Sequence, residues 1–210
     1  MSIESEIPNL LTPCSSGEMM AALRLAWTET MGYEPAQGPL CVLLAHWALE
    51  TGRGKSCHCW NIGNYKHVPG DGRDYTYYPC SEVLHGKVVH FDPSNAADRP
   101  TCCFRAYQIA AAGCLDYLWS LRTRFSSAWP EVIRADPKAF SHALKIAHYY
   151  TANEAQYTAA MASLFCEFMK LPMADHPILT DDERKNFMTL VESNLDRLQA
   201  DLWRSEYDHE

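Results

Sequence analysis

Leu43-Leu44-Ala45-His46-Trp47-Ala48-Leu49-Glu50-Thr51-Gly52-Arg53-Gly54-Lys55-Ser56 runs from an apolar segment into a carboxylate and then a glycine-rich turn. Helical spacing puts Leu43, Trp47 and Glu50 at i, i+4 and i+7, which is one face. Glu50 therefore continues a stripe that should meet the core, just where Gly52 ends the helix. Burial disfavours the charged form of a carboxyl and raises its pKa. A glutamic acid still protonated near neutral pH is suited to general acid catalysis. The same spacing also fits a Glu50 turned to solvent at a frayed helix end, paired with Arg53 or Lys55.

Working outward, Pro39 suits the first turn of this helix, predicted over Pro39 to about Thr51. Upstream, Ser15 and Glu18 have capping-box spacing and open a helix with the stripe Met20, Leu23, Trp27 and Met31. Downstream, residues 53 to 74 are rich in Gly, Asn and Lys without a clear period and read as an ordered loop. Two strand-like runs, Tyr75 to Tyr78 and Lys87 to Phe91, flank a turn region containing Gly86 and predict a β-hairpin. Helical pattern resumes from Ile109 to Arg124. Ser127 is a candidate cap for a short helix, Ala128 to Ala135, and Asp136–Pro137 starts another ending near Ala147. Glu154 to Lys170 and Asp181 to Trp203 complete the set, the last opened by a Thr180/Glu183 capping box. The expectation is a mainly α (α+β) chain of about seven helices and one hairpin. It reads as a single domain over 1–210, with a core of about 15–170 and the helix at about 181–203 packed on it.

The 210 residues are 47% hydrophobic and 21% charged, enough to bury a core without metal or disulfide staples. The net charge is −8 and no Lys/Arg block occurs. That argues against nucleic acid and anionic membrane surfaces as partners, because both are bound through clustered positive charge. No apolar run is long enough to span a bilayer. The acidic start, Met1 to Pro13, lacks the basic and apolar regions of a secretory signal.

Four stretches, in order, carry a resemblance. The first is Ala48-Leu49-Glu50-Thr51-Gly52-Arg53-Gly54-Lys55-Ser56 followed by Asn61-Ile62-Gly63-Asn64-Tyr65-Lys66. The second is Cys80-Ser81-Glu82-Val83-Leu84-His85-Gly86. The third is Phe104-Arg105-Ala106-Tyr107 leading to Asp116-Tyr117, and the fourth is Leu144-Lys145-Ile146-Ala147-His148-Tyr149-Tyr150-Thr151 with Tyr157 beyond. Together these resemble the endo-β-N-acetylglucosaminidase family of bacterial autolysins and flagellar-rod hydrolases, over about residues 43 to 165. Two departures stand out: Asn64-Tyr65 in the second half of the first motif, and His148 and Tyr150 where the family has small residues.

The resemblance implies a lysozyme-like helical domain with a β-hairpin beside the cleft. It also implies a hydrolase of β-1,4-linked N-acetylated glycan, with peptidoglycan strands as its substrate and no cofactor. Glu50 is the implied acid. Glu82 is the implied second carboxylate, acting as nucleophile or as base toward water, unless the substrate's own acetamido group takes that part. Asp71, Asp74 and Asp92 are fallback candidates. Tyr149 is placed at the sugar, where an aromatic face packs on a pyranose ring and the hydroxyl can donate. Trp60, Asn61, Tyr65 and Tyr107 are expected to line the groove.

The alternatives on the same fold are a muramidase and a lytic transglycosylase. A non-catalytic glycan-binding module and a metal-binding structural protein are rivals from other classes. The Cys and His residues at 57–59, 80, 85, 90 and 102–103 lack the paired spacing of a zinc ribbon or finger, so no metal site is predicted. An odd count of nine cysteines argues against a full disulfide framework, although a single bridge among Cys57, Cys59, Cys80, Cys102 and Cys103 suits an oxidising compartment. A wall hydrolase without a signal implies delivery by a phage particle, through a lysis lesion or by a secretion machine, with virion or secretion-system proteins as further partners.

Overall fold

The computed structural model describes residues 4–70, 72–84 and 87–207. Asp71, His85 and Gly86, three residues singled out above, lie outside the described residues. Local chemistry starts and stops most of the helices. In α1 (Ser16–Met31) the Ser15 Oγ accepts from the Glu18 N–H at 3.2 Å, and Glu18 accepts from the Ser15 N–H at 2.7 Å. Gly32, with φ 73°, ends that helix in the left-handed conformation that glycine adopts most easily. Asp136 caps α5 (Pro137–Ile146) by accepting from two backbone N–H groups at 3.0 Å. Asn153 caps α6 (Glu154–Phe168), and the Thr180/Glu183 box opens α7 (Asp181–Tyr207). The short helix α4 (Trp129–Ile133) corrects the Ser127 expectation: Ala128 is its N-cap, with no side-chain bond.

The helix that decides the fold, α2 (Gln37–Glu50), is buried from Pro39 through Ala48 on all its faces. A helix apolar all round belongs at the centre of a bundle rather than on its surface. It packs against α1 and α6, while α1 also meets α3 (Ala110–Thr123) and α5 meets α6. Burial of Glu50 thus follows from the whole helix being enclosed, more than from one stripe.

The strands are paired differently from the sequence expectation. β1 (Tyr75–Tyr77) pairs antiparallel with β4 (Cys103–Arg105), and β2 (Cys80–Leu84) pairs with β3 (Lys87–Phe91). Lys87 to Phe91 is therefore in a hairpin, but its partner is the run after Pro79 and not Tyr75 to Tyr78. Pro79 has no N–H to give a ladder, which separates the two runs. The β2–β3 register runs from Cys80↔Phe91 to Leu84↔Lys87. β1 meanwhile finds its partner across an intervening segment, a pairing with no local signal.

Candidate active site

The turn after α2 is built from its own side chains. Thr51 Oγ1 donates to the Trp47 carbonyl at 2.6 Å and accepts from the Gly54 N–H at 2.9 Å. Gly54 has φ 80°, and a Cβ there would stand 2.8 Å from the Trp47 ring and 2.9 Å from the Cys14 carbonyl oxygen. The Thr-Gly-Arg-Gly run is thereby explained: it folds the chain back against Trp47 and leaves Glu50 at the open end of the helix.

Glu50 reaches a groove of about 630 Å³ with its side chain 20% exposed. Lys66, Tyr78, Glu82, Arg124, His148 and Tyr149 are among the residues that line the same groove. The Glu50 Oε1 accepts from the Tyr157 hydroxyl at 2.6 Å and lies 3.6 Å from Nε2 of His46. The second distance is too long for a hydrogen bond and short enough for a strong electrostatic contact. No hydrogen bond from a described residue reaches Oε2. Burial pushes the Glu50 carboxyl upward, but the adjacent His46 ring and the Tyr157 hydroxyl pull it down, and the result lies below the ordinary carboxylate value. The sequence expectation of a carboxyl raised by apolar neighbours is corrected here. Its neighbours include a fully buried histidine and a tyrosine, and these outweigh desolvation.

The candidate residues separate into those the groove gathers and those it does not. Glu82, on β2, faces the groove and pairs with Lys66 at 3.1 Å. Tyr149 also lines it, its ring edge-on to Phe125 at 5.0 Å. The Tyr149 hydroxyl already donates to the Gly63 carbonyl at 3.1 Å, so the ring rather than the O–H is its free surface. Asn61 and Tyr65 border the groove as framework. The Asn61 amide donates to the carbonyls of Tyr65 and Arg105, which uses both its hydrogens, and accepts from the Tyr65 N–H at 2.8 Å.

Trp60 and Tyr107 are not in the groove. The Trp60 backbone lies against α3, so close that a Cβ on Gly113 would come within 1.9 Å of its carbonyl oxygen. Tyr107 is buried, donates to Asp116, and borders a separate cavity under α7 with Phe187 and Leu190. Of the fallback acids, Asp74 accepts from the Ser5 N–H and Asp92 from the Ser94 N–H, and neither lines the groove. All nine cysteines are free thiols.

His46 and Tyr157 were missed as site residues. His46 carried a signal, since it stands one helical turn before Glu50. Tyr157 carried none from spacing, being 107 positions away. Tyr150, a departure from the family pattern, stacks on Tyr157 at 3.7 Å and 6° and so buttresses the ring that holds Glu50. His148 lines the groove with φ 56°.

No family model matches the sequence, and no curated protein sequence matches it. The fold has solved counterparts. A peptidoglycan hydrolase mutant from Sphingomonas sp. A1 superimposes with a TM-score of 0.53 at 20% identity, covering 83% of this chain and 99% of that one. The catalytic domain of the autolysin Auto from Listeria monocytogenes does so with a TM-score of 0.50 at 17% identity, covering 75% and 86%. At these identities the likeness is one of fold.

Proposed function

We propose that this chain is a peptidoglycan hydrolase that cleaves β-1,4 bonds between N-acetylated sugars, with Glu50 as general acid. The observation that carries the reading is a carboxyl at the edge of a sugar-sized groove, with one oxygen held by the protein and the other left to meet a ligand. Solved domains of the same fold bear the names peptidoglycan hydrolase and autolysin, which supports the substrate class.

The low-lying carboxyl fits this role once glycan is bound. A sugar displaces water from Glu50, which strengthens the desolvation that favours the protonated form. Oε2–H then protonates the leaving glycosidic oxygen. Glu82, steadied by Lys66, is suited to support the cationic centre or a water across the groove, a part the substrate acetamido group can share. Tyr149 offers its ring to the sugar beside the bond.

The test is digestion of purified peptidoglycan by wild type and E50Q. The amide cannot donate an acid proton, so release of reducing ends should fall by at least about a hundredfold while the circular-dichroism spectrum of the folded chain is retained. Turnover retained in E50Q removes the mechanism. Product masses distinguish glucosaminidase, muramidase and anhydro-forming cleavage.

A further inference from the structure

One buried titratable group beside the groove has no task in the scheme above. His46 is fully buried, and its Nε2 has no hydrogen-bond partner among the described residues although it points at the Glu50 carboxyl. Its other nitrogen, Nδ1, lies 2.6 Å from the Tyr117 hydroxyl. The groups facing the ring are Tyr117 from α3, Phe140 from α5, Tyr149 from the segment after α5, Tyr157 from α6, and Glu50 from its own helix.

The hydrogen-bond inventory selects one tautomer. Tyr117 is buried and its hydroxyl has no second partner among the described residues. Were Nδ1–H the donor, both the phenol hydrogen and the Nε2 lone pair would be buried without partners. With Tyr117 donating to Nδ1, the phenol is satisfied and the ring hydrogen sits on Nε2, aimed at Glu50 Oε1. That oxygen already receives the Tyr157 hydrogen. An oxygen facing two incoming hydrogens is a poor place for a third.

We propose that His46, fixed in its Nε2–H tautomer by Tyr117, is a positioning residue that holds the transferable proton of Glu50 on Oε2, the oxygen free to meet the substrate. A shift of a few tenths of an ångström closes the 3.6 Å gap to a hydrogen bond as glycan binds, since catalytic contacts commonly tighten in the substrate complex. The role presupposes Glu50 as the acid, but the tautomer and its hold on Glu50 do not depend on turnover.

Two measurements test it on the intact chain. Ring ¹⁵N shifts, assigned by the signal lost in H46Q, should show Nε2 protonated and Nδ1 bare at neutral pH. A carboxyl ¹³C titration, assigned with E50Q, should place the Glu50 midpoint higher by about one pH unit in H46M and in the milder Y117F, a tenfold change in its protonation equilibrium. H46Q, which keeps an N–H donor, should stay near wild type. On peptidoglycan, H46M should lower kcat about tenfold with KM little changed, and move the alkaline limb of the pH profile upward with the NMR midpoint. An Nδ1–H tautomer, or a Glu50 midpoint that ignores both H46M and Y117F, overturns the proposal. A wild type with no turnover sinks the hydrolase reading and leaves the NMR result standing.

Discussion

Replacing Asp116 with alanine should be strongly destabilising. Asp116 lies in the middle of α3 with no solvent exposure. Its carboxylate accepts from Arg73, from Arg105 at 2.8 Å, and from the Tyr107 hydroxyl. Arg73 is only 5% exposed, so its charge has no route to water. Arg105, with a side chain 14% exposed, has a partial one. Removing the acid breaks a buried ion pair by taking away one partner, which typically costs about 3–5 kcal/mol. For a chain of this size each kcal/mol moves Tm by roughly 2–4 °C, so a drop of about 6–20 °C is expected. Thermal and urea unfolding of D116A followed by circular dichroism measures it. E6A, which breaks the exposed pair Arg99–Glu6, is the control and should cost less than about 1 kcal/mol. A D116A loss no larger than the control would refute the claim that this network joins α3 to the β1–β4 pair.

Two other substitutions probe the site and its scaffold. Y157F removes the 2.6 Å bond to Glu50 and raises the carboxyl pKa in the folded state. Because Glu50 lies below its ordinary value when folded, its ionised form stabilises the fold above the unfolded pKa of about 4.3, and this is lost as pH falls through the folded value. Y157F should therefore be less stable than wild type above about pH 5, with the gap narrowing in acid; urea titrations at several pH values read it, and a pH-independent gap contradicts the assignment. G54A forces a side chain into the left-handed region against the Trp47 ring and Cys14, so chemical denaturation should show a loss of at least about 1 kcal/mol; an unchanged midpoint would mean the turn relaxes freely.

Much of this protein was written in short stretches of chain. The capping box at Ser15 and Glu18, the Asp136–Pro137 start, the Thr180/Glu183 box and the stop at Gly32 act over three or four residues, so local order was enough to read them. Glu50 as the carboxyl at the end of an apolar helix was legible for the same reason. Choices that depend on through-space neighbours were left to the tertiary structure. Tyr75–Tyr77 pairs with Cys103–Arg105 because Pro79 separates it from the hairpin and the chain returns beside it. Tyr107 turns from the groove because a buried Asp116 offers its hydroxyl an acceptor. The sign of the Glu50 shift required Tyr157, 107 positions away in sequence, and a His46 enclosed on every side. Periodicity can say that a carboxyl is buried, but its charge is set by whichever dipoles and hydrogens the fold packs against it.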